Sequence, residues 1–273
     1  MNTTAIIDSI ARRSAAKEEE GDYRQDGLLY CGHCGTPKQC RLAIGNQSRI
    51  VGCMCACQTR RYDAEERAEK DRQERIRVRQ LRSEGIQDRQ LERCVFETAE
   101  ETENIRRCKR YVERWDEARQ ENTGLLFYGE PDGGKTFAAA CIANALMAQG
   151  IPVMVTSLPR IINAGWDKSE IIAQLHRYPM MVLDDLGVER NSGYSLETVY
   201  TVIDERKKSG KPLIVTTNLT LQEIKEPRSM EYRRIYSRVL EMCVPVYFPG
   251  QSYRKREAAR KMGLVREIFG GRE

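Results

Sequence analysis

From about Leu91 onward the chain alternates short apolar runs with longer stretches whose apolar residues recur at helical spacing. Five runs read as strands: Leu125–Tyr128, Val153–Thr156, Met180–Asp184, Leu213–Thr217 and Val244–Phe248. Helical segments separate them. This alternation predicts an α/β fold with a five-stranded, mostly parallel sheet covered on both faces. Ahead of the first strand, Ile105, Cys108, Tyr111, Val112, Trp115 and Ala118 form one helical stripe.

Upstream the pattern changes. Residues 59–84 are dense in Arg, Glu, Lys and Asp, and apolar residues are sparse until Ile76, Val78 and Leu81. The pairs Asp63/Arg67, Glu66/Lys70 and Asp71/Arg75 stand four apart with the acid first, which supports a solvated helix ending near Gly85. At the start of the chain, Ile6, Ile7 and Ile10 share one helical face, suited to local packing or to docking on a partner. The pattern divides the chain into an N-terminal domain over residues 1–58, a charged helical linker over 59–90 and an α/β domain over 91–273.

The length of 273 residues suits one sizeable α/β core plus a small accessory domain. Net charge is +5, from 45 basic and 40 acidic residues, which permits nucleic-acid contact without demanding it. Aromatic residues make up only 7%, which argues against a base-stacking platform. The N-terminus carries Asp8 and lacks the apolar stretch of a secretory signal. No window approaches the roughly 18 apolar residues of a membrane span. The expectation is a cytoplasmic protein with no membrane partner.

The chemistry begins where the first strand ends. Gly129-Glu-Pro-Asp-Gly-Gly-Lys-Thr136 fits G-x-x-x-x-G-K-[ST], with an apolar strand before it and a helix-like run from Phe137 after it. Backbone N–H groups in such a loop point at phosphates, and the helix dipole favours negative charge there. Gly129, Glu130, Pro131, Asp132, Gly133, Gly134, Lys135, Thr136 and Phe137 are the expected nucleotide-binding set. Lys135 would reach the β- and γ-phosphates, and the Thr136 hydroxyl would bind Mg²⁺. Further along, Met180-Met-Val-Leu-Asp184-Asp185 is an apolar strand ending in two acids. It would deliver its carboxylates to the sheet edge beside the glycine loop. Asp184 is the expected Mg²⁺ ligand, and Asp185 the group that polarises an attacking water. A third strand, Leu213-Ile-Val-Thr-Thr-Asn218, brings Asn218 to the same edge, where it can meet a γ-phosphate or the water.

Ten cysteines need an explanation, and six of them, Cys31, Cys34, Cys40, Cys53, Cys55 and Cys57, fall close together. Clustered thiols in a reducing compartment suggest metal, and scattered ones suggest core. Two cysteine knuckles about twenty residues apart match a closed structural Zn²⁺ site. Cys31 and Cys34 form the first pair. Cys55 and Cys57 are favoured for the second, with Cys53 as the alternative. His33 sits inside the first knuckle with little room to ligate. Cys94, Cys108, Cys141 and Cys243 read as core residues.

Gly129–Thr136, Leu183-Asp-Asp-Leu-Gly-Val-Glu-Arg190, Ile214-Val-Thr-Thr-Asn218, Arg234-Ile-Tyr-Ser-Arg238 and Ser252-Tyr-Arg254, in this order, resemble the AAA+ helicase loaders of the DnaC/DnaI type. They resemble the IstB-like transposition ATPases more distantly. The resemblance covers roughly residues 90–260, and the cysteine cluster is similar to the zinc-binding, helicase-docking region of some loaders. It implies an AAA+ P-loop NTPase with a small zinc-binding domain. The implied function is ATP-dependent loading of a hexameric replicative helicase onto single-stranded DNA. Arg238 then matches an arginine finger acting on ATP held by a neighbouring subunit, with Arg234 as second candidate, so self-association is implied. Arg254 matches the sensor 2 arginine. Arg160, Trp166 and Lys168 fall where such loaders contact single-stranded DNA, while His176 reads as structural. The chain departs from the family pattern at Asp132, where a small residue is usual. A carboxylate there is repelled by phosphate unless it turns to solvent. Asp185 also stands where Glu is commoner. Two other readings remain: a transposition helper ATPase of the IstB type, and an ATP-binding adaptor with impaired hydrolysis.

Overall fold

Internal packing divides the chain into two units, Met1–Arg75 and Ile76–Glu273. The structure, a computed structural model, describes residues 16–44, 47–163, 168–187, 193–227, 229–250 and 253–269. The Ile6, Ile7 and Ile10 face and Trp166 lie outside the described residues.

The first unit holds two antiparallel hairpins. Strands β1 (Tyr23–Gln25) and β2 (Leu28–Tyr30) are joined by Asp26-Gly27, both at positive φ (49° and 74°), as a tight two-residue hairpin requires. That register sets Tyr23 opposite Tyr30, and their rings stack with centroids 5.5 Å apart. Strands β3 (Gln39–Ile44) and β4 (Gln47–Gly52) form the second hairpin. Few apolar side chains are buried here. A cation takes their place: Lys38 is 1% exposed, with its Nζ 2.6 Å from Asp22 and 3.2 Å from Glu19. Asp22 also accepts the N–H groups of Glu19 and Gly32. The Lys38 ammonium and these two amides hold the Asp22 carboxyl down at about 2.

Helix α1 (Ala56–Gly85) is the charged segment anticipated from its composition. Glu66 pairs with Lys70 at 2.7 Å, whereas Arg67 turns to the Asp63 carbonyl instead of its carboxylate. The expected linker over 59–90 does not coincide with the division between units, which falls at Arg75/Ile76. The reason is burial: Leu81 and Ile86 pack into the core of the second unit, and Ile86 bridges Val155. Gly85 ends the helix where a Cβ would stand 2.0 Å from the Val153 carbonyl.

After the end of α1, the second unit continues with 3₁₀ turns at Leu91–Arg93 and Phe96–Thr98. The predicted stripe 105–118 becomes two helices, α2 (Glu103–Glu113) and α3 (Trp115–Gln120), because the backbone leaves helical geometry at Arg114 (φ −105°, ψ 29°). Both still turn their apolar residues inward: Ile105, Cys108, Val112 and Trp115 are buried. Then follow β5 (Gly124–Gly129), α4 (Lys135–Ala148), β6 (Val153–Ser157), α5 (Leu158–Asn163), α6 (Lys168–Arg177) and β7 (Met180–Leu186). The unit continues through α7 (Gly193–Lys208), β8 (Leu213–Thr217), α8 (Leu221–Lys225), α9 (Met230–Met242), β9 (Cys243–Phe248) and α10 (Tyr253–Ile268).

The five strands lie parallel in the order β6-β7-β8-β5-β9. Alternate residues feed two cores. Leu126, Leu183 and Val215 face the helices α5 to α9, while Phe127, Val182 and Ile214 face α2 and α4. Beside the N-terminal ends of β7 and β8, Arg206 of α7 is fully buried, and among the described residues it has no carboxylate partner. Its guanidinium instead donates to the carbonyls of Leu175, Tyr178, Pro179 and Pro212. Desolvation lowers its pKa to about 10. This one side chain ties the end of α6, the start of β7 and the entry to β8.

Candidate nucleotide site and thiol cluster

Strand β5 runs into the glycine loop, and α4 starts on the far side of it at Lys135. Gly129 has φ 128°, and a Cβ there would stand 2.3 Å from the Phe248 carbonyl, so only glycine lets the loop leave the sheet at this point. Gly134, at φ 82°, forms the cap of α4. Asp132 also sits in the left-handed region, at φ 63°. Asp is among the few side chains that tolerate this conformation, which accounts locally for a non-glycine residue there.

Lys135 is 7% exposed, and its Nζ donates to the carbonyls of Gly129 (3.0 Å) and Glu130 (2.6 Å). The Thr136 hydroxyl donates to Asp184 Oδ1 at 2.8 Å. Asp184 and Asp185 lie on a bulge of β7, where the register against β8 shifts between Leu183 and Leu186. Asp185 takes φ 61° there. A bulge re-aims side chains that a regular strand would send to opposite faces. Thr216 holds the bulge: its hydroxyl donates to Asp184 Oδ1 and accepts the N–H of Asp185. Burial raises the Asp184 carboxyl above the usual range, against the hydrogen bonds from Thr216 and Thr136 that favour its ionised form. Lys135, Thr136, Asp185 and Asn218 line one cavity of about 260 Å³ with Asp132 and Phe137. The predicted loop, the two acids and Asn218 therefore meet at one sheet edge. Thr136 and Asp184 supply a hydroxyl and a carboxylate side by side, a donor pair that suits Mg²⁺.

A second cavity, of about 680 Å³, adjoins the loop. Its walls are Thr98–Ile105 on one side, Tyr247–Pro249 on the other, and Gly133, Gly134 and Phe137 at its base. Asn104 Nδ2 fastens the walls together by donating to the Tyr247 carbonyl at 2.8 Å. Neither Thr216 nor this cavity is evident from motifs. The Thr-Thr-Asn ending of the β8 run was the available signal for Thr216. The cavity depends on a packing of α2 against β9 that no local pattern encodes.

Other predicted residues lie apart. Arg238 is held inside its own chain: Nε donates to Asp204 at 2.7 Å, Nη2 donates to the Tyr200 hydroxyl at 2.8 Å, and the guanidinium lies 4.7 Å over the Tyr200 ring. Arg234, one turn earlier, is exposed. Arg160 donates to the Gln87 carbonyl, and His176 stands 3.5 Å from Glu205. Arg254 and Lys168 fall on helices α10 and α6, with their side chains outside the described residues.

In the first unit the ligand atoms of Cys31, Cys34, Cys55 and Cys57 all lie within 4.8 Å of one another. Cys31 and Cys55 are buried, and the other two are half-buried. The Thr36 hydroxyl beside Cys34 pulls that thiol down to about 5, and the hydrogen bond with Cys34, then burial and the Cys34 charge, lift Cys57 to about 11. Four converging sulfurs are the donor set of a closed tetrahedral zinc site. Gly32 at the tip of this knuckle donates to Asp22, so the buried Lys38–Asp22 pair braces the backbone between the first two cysteines.

Comparison with known proteins adds to this geometry. The replicative helicase loader DnaC of Escherichia coli strain K12 is 25% identical over 166 residues, covering 58% of this chain and 65% of that protein. The replicative helicase loader DnaI of Bacillus subtilis strain 168 is 26% identical over 147 residues, covering 48% of this chain and 47% of that protein. The chain thus spans less than two thirds of each of these relatives. A crystal structure of DnaI superposes with a TM-score of 0.52 at 20% identity, over 60% of this chain and 95% of that one, a likeness of fold. Among the described residues, no helix is long and apolar enough to cross a membrane. The model of the IstB-like ATP binding protein family matches residues 63–261, most of the chain, and the protein belongs to that family, with the α/β fold of AAA+ ATPases.

Proposed function

We propose that this protein is an ATPase that loads a hexameric replicative helicase onto single-stranded DNA. The observation that carries the nucleotide half of the reading is the meeting of Lys135, Thr136, Asp185 and Asn218 in one cavity, with Asp184 hydrogen-bonded to Thr136. ATP lies along the loop with its phosphates on the N–H groups that open α4. Its base enters the cavity between Thr98–Ile105 and Tyr247–Pro249. Lys135 exchanges the Gly129 and Glu130 carbonyls for oxygens of the β- and γ-phosphates, which its ammonium binds. Thr136 and Asp184 would hold Mg²⁺, which would neutralise charge on the phosphates. Asp185 orients the attacking water, and Asn218 fixes the γ-phosphate or that water. Cys31, Cys34, Cys55 and Cys57 hold zinc as a structural centre in the unit that docks on the helicase. Arg238 acts on the nucleotide of a neighbouring copy once its bonds to Asp204 and Tyr200 are exchanged for phosphate. Arg254 supplies the second cation from α10.

The separation of the thiol unit from the nucleotide unit gives the test. Lys135→Ala is expected to keep helicase binding and to lose loading, read by co-elution and by loading onto a single-stranded circle. Undiminished loading by that variant sinks the proposal. The family match itself favours a second reading, a helper ATPase for transposition. Offering a replicative helicase and a transposase together in one capture experiment separates the two. An ATP-binding adaptor with impaired hydrolysis is the outcome if nucleotide binds tightly and neither helicase nor DNA stimulates turnover.

A further inference from the structure

Of the six clustered cysteines, four form the convergent set, which leaves Cys40 and Cys53. Cys40 lies on β3 opposite Val51 of β4. Cys53 is two residues beyond Val51, and its N–H donates to the Lys38 carbonyl at 2.8 Å, so the ladder register continues to it. Residues two apart on a strand share a face, which makes Cys40 and Cys53 diagonal neighbours on one face of the hairpin. Their thiols lie close enough to influence each other, and the Cys53 thiol has the Pro37 carbonyl 3.6 Å away. Both are half-buried and line a single cavity of about 690 Å³, with Arg41, Met54 and Arg60 around it.

We propose that Cys40 and Cys53 are a redox-active dithiol, distinct from the four-thiol set, that closes to a disulfide on exchange with an anionic low-molecular-weight disulfide. One cysteine attacks the S–S bond of the oxidant, which breaks and releases one thiol, the cysteine proton passing to it. The second cysteine then attacks the mixed disulfide. The Cys40–Cys53 bond forms, and a second oxidant thiol leaves with the second proton. The protein loses two electrons and the oxidant gains them. Arg41 and Arg60 at the cavity favour an oxidant that carries carboxylates. Diagonal neighbours in a regular ladder stand about 7–8 Å apart, slightly more than the usual disulfide span of about 4.4–6.8 Å. Cys53 lies past the end of β4, and closure draws residues 52–54 toward β3. Because Cys55 follows two residues later, the cross-link braces the chain where it enters the convergent set.

The test uses the full chain, treated with oxidised glutathione at neutral pH, quenched by alkylation and digested with trypsin. Cleavage after Arg41 and Arg49 places the two cysteines on separate peptides. The expected result is a Cys40–Cys53 cross-linked pair that disappears on reduction. In Cys53→Ser, a stable glutathione adduct on Cys40 replaces it. The peptide map reads the pair whether or not the other four thiols hold metal. If no cross-link forms, or if Cys40 or Cys53 is joined first to one of the other four cysteines, the proposal is overturned.

Discussion

The two units stabilise themselves by different means. The second covers both faces of a parallel sheet, and residues such as Leu126, Phe127, Leu183 and Val215 are wholly removed from water. In the first, the buried apolar side chains among the described residues are Leu29 and the two cysteines Cys31 and Cys55. Beside them stands a lysine held by two acids. A unit of this size cannot bury enough apolar surface to offset its chain entropy, and such units depend on metals or cross-links. The site chemistry follows the same division. The nucleotide edge is built on strands that a large core fixes, whereas the thiol cluster is itself the core of its unit.

Removing the zinc proposed for the four-thiol set is therefore the largest perturbation the comparison predicts. With a chelator, or with Cys55→Ser, the first unit is expected to unfold, because a structural zinc contributes folding free energy outright. The second unit should keep its nucleotide affinity. Limited proteolysis with and without chelator, alongside titration of a fluorescent ATP analogue, checks this. Equal protease resistance of residues 16–55 in both conditions breaks the contrast. Next in size is Arg206→Met, which leaves four carbonyls without their donor inside the second unit. At about 1 kcal/mol for each of the four carbonyls left without a donor, the loss is about 4 kcal/mol. Calorimetry should show the nucleotide-binding transition fall by several degrees, while the metal content of the first unit stays unchanged.

Much of the second unit was legible in the sequence because its signals are local. An apolar run, a glycine loop and a strand-end acid each occupy a few consecutive residues, and the parallel sheet only has to bring their ends together. The four-thiol set was legible in part for the same reason: spacing pointed to two knuckles but left Cys53 in competition with Cys55 and Cys57. What stayed hidden is polar burial. Lys38 and Arg206 look like surface cations until Asp22 and Glu19, or the carbonyls around Leu175 and Pro212, are placed beside them from elsewhere in the chain. The break at Arg114 was also hidden, since the apolar stripe continues through it and only the backbone departs from the helix. Thr216 is the corresponding case at the site, a strand residue whose hydroxyl matters because a bulge on the neighbouring strand needs a tie.

The two units also carry partly buried carboxylates whose pKa values are shifted in opposite directions. Asp22 is shifted down, to about 2, by Lys38 and two amides, whereas burial shifts Asp184 up. For Asp22 the folded pKa lies below the unfolded one, so its contribution is fully present above about 4 and is lost as pH falls through about 2. For Asp184 the folded pKa lies above the unfolded one. Its ionised form carries a desolvation cost at neutral pH, and that cost is relieved as pH drops. Acid should thus weaken the first unit through Asp22 while easing one strain in the second. Asp22→Asn isolates the effect. At pH 7 the variant's first unit should melt below the wild type, and the gap should narrow as pH falls from 4 toward 2. A gap that stays constant across that range removes the ion pair from the account.

The smallest expected effect concerns the helix in which the division between units falls. Glu66 and Lys70 form a good i,i+4 pair at 2.7 Å, yet their side chains remain 48% and 72% exposed. Each charge keeps most of its water, so the attraction is weak, is screened by salt and is offset by the ordering of two long side chains. The pair lowers the Glu66 pKa and raises that of Lys70, but neither unit's core rests on it. Glu66→Gln is accordingly expected to leave both melting transitions where they were and to reduce only the salt dependence of the helical signal. A clear loss in either transition would mean that the charged helix transmits stability between regions whose internal packing is otherwise separate. The contrast between a unit organised around four thiols and a core-held unit would then need a third, electrostatic component.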